Sequence, residues 1–166
     1  NMHLTCTNQV KEKCDFGLKG AKAAGICNIV ALRGDPPKGQ EKWEVTEGGF
    51  ACALDLVKYT RQHYGDYFSL QVSGYPEGHP DNIKKVSSLG RAMTASEKAR
   101  VVEYEGEQWV CSDLDMVVEM KYLKQKIDAG GDCIITQLFY DFDVFETFVK
   151  NCRAYGINVV SGLSPP

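Results

Sequence analysis

The residues best suited to chemistry stand in three short polar segments, each at the end of an apolar run. Arg33-Gly34-Asp35 follows Asn28-Ile29-Val30-Ala31-Leu32 and leads into Pro36 and Pro37. A guanidinium and a carboxylate flank a glycine there. Such a set can hold an anion and stabilise a developing positive charge, while Gly34 lets backbone come close to a flat ligand. The second segment, Tyr75-Pro76-Glu77-Gly78-His79-Pro80, follows the apolar run 68–72 and gathers aromatic and titratable groups. The third is Gln137, inside Cys133-Ile134-Ile135-Thr136-Gln137-Leu138-Phe139. Burying an unpaired amide costs roughly 2–7 kcal/mol, so a glutamine in an apolar strand is expected to meet a ligand or a specific partner.

What positions these segments is an alternation of strand and helix. His3-Leu4-Thr5-Cys6 reads as a strand. Val10, Cys14, Leu18 and Ala21 then recur at helical spacing until Gly25. Ile29 to Leu32 is a continuous apolar run, expected for a strand covered on both faces. Phe50, Ala53, Leu54 and Val57 form the next helical stripe, closed by Gly65, and residues 68–72 a third strand. Ser112 or Asp113 caps a helix whose inner face is Met116, Met120, Leu123 and Ile127, ending at Gly130-Gly131. Residues 133–139 are expected as the fourth strand, Val144, Phe148 and Cys152 mark a fourth helix, and residues 158–163 begin a fifth strand. The order implies an α/β fold with a parallel sheet, either open and doubly wound or closed as a barrel. No G-x-G-x-x-G or G-K-[ST] loop follows any strand, which removes the main support for a dinucleotide fold or a P-loop. In a barrel, polar groups after successive strands converge on one site.

Residues 81–111 interrupt this rhythm and read as an insertion. Thr94-Ala95-Ser96-Glu97 has the spacing of a capping box, and residues 101–110 alternate about Glu105-Gly106 like a hairpin.

Composition bounds the function classes. The chain has 166 residues, 43% of them hydrophobic and 25% charged, with a formal net charge of −3. That balance fits one globular domain and supplies no basic field for nucleic acid. There is neither a run of about 18 apolar residues nor a signal-peptide layout, so an intracellular, cytoplasmic protein is expected. The seven cysteines are far apart, without a C-x-x-C pair, and are expected as reduced core residues with no metal site. The chain opens on Asn1 and reaches strand-like residues almost at once, as an excerpt would.

In order, His3-Leu4-Thr5-Cys6, Ala31-Leu32-Arg33-Gly34-Asp35, Tyr75-Pro76-Glu77-Gly78-His79-Pro80, Leu123-Lys124-Gln125-Lys126-Ile127-Asp128-Ala129-Gly130 and Ile135-Thr136-Gln137-Leu138-Phe139 resemble the methylenetetrahydrofolate reductase family. Gly48-Gly49-Phe50 and Asp55-Leu56-Val57 are similar to its eukaryotic members. The resemblance implies a (β/α)8 TIM barrel, of which about five strands and four helices lie in this chain, with residues 81–111 inserted. It implies FAD-dependent reduction of 5,10-methylenetetrahydrofolate to 5-methyltetrahydrofolate by NADPH or NADH, in a homo-oligomer. It also implies that His3, Leu32, Arg33, Gly34, Asp35, Ala53, Tyr75, His79 and Lys126 contact the flavin. Asp35 further matches the carboxylate near the flavin and folate rings, and Gln137 the amide that holds the pterin. The family's proton-donating glutamate, on the first strand, has no counterpart among these residues. A remnant that binds flavin or acts as an interaction module is the alternative expectation.

Overall fold

In the computed structural model, residues 1–36, 39, 44–158 and 161–162 are described. The chain folds as two compact units, residues 1–73 with 125–134 and residues 74–124 with 135–166.

The first unit is a parallel sheet backed by helices. β1 (Met2–Thr5), β2 (Asn28–Leu32) and β3 (Ser69–Gly74) pair in that order, with Leu4 opposite Ala31 and Ala31 opposite Val72. α1 (Lys11–Ala23) buries Cys14, Leu18 and Ala21, the expected stripe, and Gly25 follows it at φ 71°. α2 (Ala53–Tyr64) buries Leu54, Leu56 and Val57 and is followed by Gly65 at φ 55°. One face of the sheet, Leu4, Ile29, Ala31, Leu70 and Val72, is buried. Each such side chain stabilises the fold by about 1.5–3 kcal/mol before entropy is counted. For β2 the expected coverage of both faces holds, since Ile29 and Ala31 are buried on one face and Val30 on the other, but the strands beside it leave that other face partly open. His3 and Asn28 are exposed and Thr5, Ser69, Gln71 and Ser73 half-buried, although Val30 between them is buried. The reason lies in β3, where Ser-Leu-Gln-Val-Ser-Gly alternates with a period of two.

The N-terminal end of β3 is tied to residues 130–132 by Arg61 on α2. Its Nε and Nη2 donate to Gly130 O at 2.9 and 2.6 Å, Nη1 to Phe68 O at 2.7 Å and Gly65 O at 3.0 Å, and Nη2 to Asp132 Oδ2 at 2.6 Å. Asp132 Oδ2 also accepts from Leu70 N at 2.7 Å.

In the second unit, β4 (Ile83–Lys85), β6 (Glu107–Cys111) and β5 (Val102–Tyr104) form a small antiparallel sheet, with Ile83 opposite Cys111 and Val102 opposite Trp109. The hairpin turns at Glu105 and Gly106, both with positive φ, and the capping box at Thr94 and Glu97 opens α3 (Ala95–Ala99). Glu97 is fully buried and takes two bonds from Arg91, at 2.7 and 2.5 Å, and one each from Thr94 N and Asp113 N. A carboxylate so held sits well below its ordinary pKa, with the Arg91 bonds as the largest cause. α4 (Asp113–Asp128) begins behind Ser112, whose hydroxyl accepts from Asp115 N, and α5 (Phe142–Ala154) behind Asp141, whose carboxylate accepts from Asp143 N and Val144 N. Val144, Phe148 and Cys152 are buried as expected.

β7 (Cys133–Thr136) is shorter than the expected run 133–139. In a regular parallel ladder successive donors lie two residues apart, so Asp132 N donating to Leu70 O would place Thr136 N on Gly74 O. Gln137 N donates there instead, at 2.7 Å, so one residue is bulged out where the strand ends. The Thr136 hydroxyl is left buried without a hydrogen-bond partner. Of the fifth strand, β8 (Ser161–Gly162) is described, while Val159, Val160 and Leu163 lie outside the described residues. Cys6, Cys14, Cys111 and Cys152 are buried, but Cys27 is exposed and Cys52 and Cys133 are half-buried, so only part of the cysteine expectation holds. Among the described residues no helix is long and apolar enough to cross a membrane, and no cluster has the makings of a metal site.

Candidate functional site

In the first unit, the candidate residues sit at the carboxyl ends of β1 and β2. Thr5 pairs with Leu32, and the Arg33 carbonyl beyond it is gripped by β1: Thr7 N donates at 2.9 Å, Thr5 Oγ1 at 2.6 Å, and Thr7 Oγ1 adds a short bond. Gly34 follows at φ 87°, where a Cβ would stand 2.2 Å from Thr5 Oγ1 and 2.9 Å from Thr7 Oγ1. The close approach that requires this glycine is therefore to the protein's own threonines. Arg33 is half-buried and Asp35, two residues on, is exposed. Ala53 is buried as the first residue of α2, and His3 is exposed on β1.

Lys126 is 4% exposed, and its ammonium donates to Ser73 O at 2.6 Å, at the end of β3. Although α4 is rich in lysine, Lys126 is thus not one of its solvated lysines. A signal for this was present: Met116, Met120 and Leu123 mark the inner stripe of α4, and Lys126 is the next position three residues on. Lys121 and Lys124 are off that stripe, exposed and half-buried respectively. His63 is exposed, with Nδ1 2.9 Å from Tyr59 O and its ring stacked on Tyr59 at 3.9 Å, a local helix contact.

In the second unit, Tyr75, Glu77 and His79 are half-buried while Gly74, Pro76 and Gly78 are buried, in a turn closed by Gly78 N donating to Tyr75 O at 3.1 Å. The rings of Tyr75 and His79 meet edge to face at 4.6 Å, and His79 Nδ1 accepts from Asp81 N at 3.1 Å. Gly78, at φ 105°, would drive a Cβ to 2.4 Å from the Cys111 Cβ, which fixes the turn against β6. Gln137 is the sharpest departure from expectation. It is exposed just past β7, and its Oε1 accepts from Leu138 N at 3.0 Å. Gln137 is therefore not the buried amide that its apolar surroundings imply. The apolar run 133–139 continues past the strand end, so hydropathy hid where β7 stops. Through the bond from Gln137 N to Gly74 O, this residue stands beside the start of the Tyr75 turn.

Glu77 is the group that sequence reasoning passed over, although its alternation with Tyr75 and His79 was visible. Burial pushes its carboxyl up from the ordinary value, and the charge of Asp141 adds to the effect. In the first unit, burial lifts the Cys6 thiol to about 11, with nearby Cys14 and Cys52 contributing.

Comparison with known proteins places these residues in a family. A sequence model of the family described as methylenetetrahydrofolate reductase matches residues 1–165. The chain is 48% identical over 166 residues to "Methylenetetrahydrofolate reductase (NADH) 1" of Arabidopsis thaliana, covering 99% of this chain and 24% of that protein. It is 42% identical to "Methylenetetrahydrofolate reductase 2" of Saccharomyces cerevisiae, covering 99% of this chain and 23% of the relative. It is 35% identical to "Probable methylenetetrahydrofolate reductase (NADPH)" of Caenorhabditis elegans, covering 99% of this chain and 20% of the relative. The chain thus spans about a quarter of the length of these relatives. With a family match running from its first strand to its last described residues, the chain belongs to the methylenetetrahydrofolate reductase family.

Proposed function

We propose that this chain is an arc of a flavin-dependent (β/α)8 barrel that reduces 5,10-methylenetetrahydrofolate to 5-methyltetrahydrofolate with a nicotinamide dinucleotide as donor, residues 81–111 being an insertion in that barrel. The observation that carries the reading is the family match across the whole length of the chain. The open polar face of the β1–β3 sheet supports the barrel, because such a face suits the inside of a closed sheet whose mouth binds a polar ligand.

The residues fit FAD in chemical type. Lys126 holds a buried ammonium at the end of β3, and Arg33 and His79 add a guanidinium and an imidazole, the groups that meet a diphosphate. Tyr75 offers a ring face with a polar tip, and Leu32, Gly34, Asp35, Ala53 and His3 complete the proposed contacts. When bound, the flavin supplies the hydride chemistry.

The chain's own residues do the rest. Gln137 presents an exposed amide whose NH2 and carbonyl match a pterin edge. Asp35 stands at a turn held by Thr5 and Thr7, so its carboxylate is positioned in advance of reaction. There it stabilises the positive charge of the iminium form of the folate as that carbon is reduced. A cytoplasmic homo-oligomer is the proposed setting.

Asp35→Asn tests this in the protein loaded with flavin. Flavin retention with folate reduction slowed 10-fold or more is expected, since one fixed electrostatic contact is worth a few kcal/mol, roughly 2.7–4 in comparable sites. Unchanged turnover removes Asp35 from the mechanism. A preparation that binds neither flavin nor folate removes the reading.

A further inference from the structure

Residues 81–111 leave the alternation of strand and helix, yet they touch the candidate site at one narrow place. Gly78, in the turn at 75–79, lies across the pairing of β4 with β6: a Cβ built on it would stand 2.4 Å from Cys111 Cβ, 2.7 Å from Cys111 Sγ and 3.7 Å from Ile83 Cγ1. At φ 105° glycine alone sits there without strain. The turn therefore rests on the insertion through bare backbone, with no flexible side chain between them to absorb a shift. Pro76 meets the insertion as well, lining a small cleft with Ser96, Ala99 and Arg100.

Cys111 is itself held from behind. It is fully buried, and its carbonyl accepts from Arg100 Nε at 2.8 Å. Arg100 is 5% exposed and donates also to Ser96 O and Oγ, at 3.2 and 2.8 Å, and to Asp113. Asp113 N in turn donates to Glu97 Oε1 at 2.9 Å, so α3, the end of β6 and the start of α4 are joined in one hydrogen-bonded frame. A buried polar network of this kind is stiff. Burial lifts the Cys111 thiol to about 11, so the side chain offers Gly78 bulk rather than charge. On the other side of the contact, Gly78 N donates to Tyr75 O at 3.1 Å and Asn82 N to His79 O at 2.8 Å. The backbone of both Tyr75 and His79 is thus tied to the part of the chain that the insertion supports.

We propose that the insertion is a buttress: Cys111, backed by Arg100, sets the position of the turn that carries Tyr75 and His79, and through it the affinity for the flavin. This rests on the reductase reading for the identity of the ligand, though not for the contact itself. Cys111 and Arg100 are positioning residues that act through Gly78 and take no part in the chemistry. A support displaced by about 1 Å is enough to loosen the groups it aims.

Amide hydrogen exchange and FAD binding, both followed on the whole protein, test the proposal. Cys111→Ala removes the sulfur and keeps the strand. The Gly78 and Asn82 amides should then exchange about 10-fold faster while those of Met120 and Leu123 in α4 hold, and FAD should bind about 10-fold more weakly. Cys111→Ser keeps an atom at the γ position, able to donate to Ser112 O as the thiol does at 3.7 Å, and should bring both quantities back to within about 3-fold. Arg100→Lys keeps a charge for Asp113 but loses the Nε bond to Cys111 O, and should move both in the direction of Cys111→Ala. Exchange that quickens evenly along the unit, FAD affinity unchanged in a loosened turn, or alanine and serine variants that behave alike overturns the proposal. A turn that loosens locally in Cys111→Ala, in a protein that binds no FAD even when unmodified, upholds the buttress and overturns the reductase reading instead.

Discussion

Gly34→Ala puts the first of the candidate turns under a measurable strain. Two costs can be worked out from the structure. The φ of 87° is a region in which an L-residue loses roughly 1–2 kcal/mol. The new Cβ would also lie 2.2 Å from Thr5 Oγ1, so the Thr5 hydroxyl must leave the Arg33 carbonyl, where it now donates at 2.6 Å. Losing that bond adds roughly 0.5–1.5 kcal/mol. Together the substitution should destabilise the protein by about 1.5–3.5 kcal/mol, or roughly 3–14 °C in melting temperature for a chain of this size. Thr5→Ala removes the hydroxyl and keeps its Cβ, which lies 3.3 Å from the added methyl position. Equilibrium urea unfolding of the two single variants and the double variant then gives a coupling of about 1 kcal/mol, with the backbone cost and the 2.9 Å approach to Thr7 Oγ1 left in the double variant. A loss below about 0.5 kcal/mol for Gly34→Ala, or additive effects, would refute the claim that contact with the Thr5 hydroxyl is what demands a glycine.

Arg61→Lys keeps the charge but loses the fork that serves Gly130, Phe68, Gly65 and Asp132; about 3–5 kcal/mol of stability should go with it, read by thermal unfolding, and a change under 1 kcal/mol counts against the staple. Glu97→Gln leaves a partner, Arg91, whose side chain is 44% exposed, so the cost should be near 1.5–3 kcal/mol rather than that of a fully stranded charge. Because the Glu97 carboxyl is held below its ordinary value of 4.5, its contribution is complete above that pH and is lost as pH falls toward the depressed value. Glu97→Gln should therefore flatten the acid limb of the stability profile, and an unaltered limb speaks against Glu97. A charged alkylating reagent at pH 8 should label exposed Cys27 first and leave buried Cys6, Cys111 and Cys152, whose thiols burial lifts to about 11, until unfolding. Labelling of Cys6 as fast as Cys27, followed by peptide mass, would contradict the buried placement.

The sequence made the helices and the hairpin legible because each is written in local terms. Leu18 and Ala21 follow Cys14 at helical spacing, Thr94 and Glu97 form the reciprocal cap their spacing promises, and Glu105-Gly106 takes the positive φ values that a tight hairpin needs. What escaped were features set by long-range partners. Hydropathy cannot end β7 at Thr136, since Leu138 and Phe139 are as apolar as Ile134; the bulge that frees Gln137 depends on Gly74, far away in the chain. The lysine spacing on α4 gives no ranking by itself, and Lys126 is buried because the helix turns it onto the stripe of Met120 and Leu123, where the Ser73 carbonyl is available.

Glu77 carries this reasoning one step further. Its neighbours Tyr75 and His79 draw attention through residue type, whereas a glutamate in a turn looks like a solvated charge. Only its half-burial and the proximity of Asp141 show that the charge is held against a cost. Glu77→Gln should therefore remove the burial cost and the repulsion together and raise stability at neutral pH, read by equilibrium urea unfolding; an unchanged or lowered stability would show that a partner holds the Glu77 carboxylate rather than that it is kept against a cost.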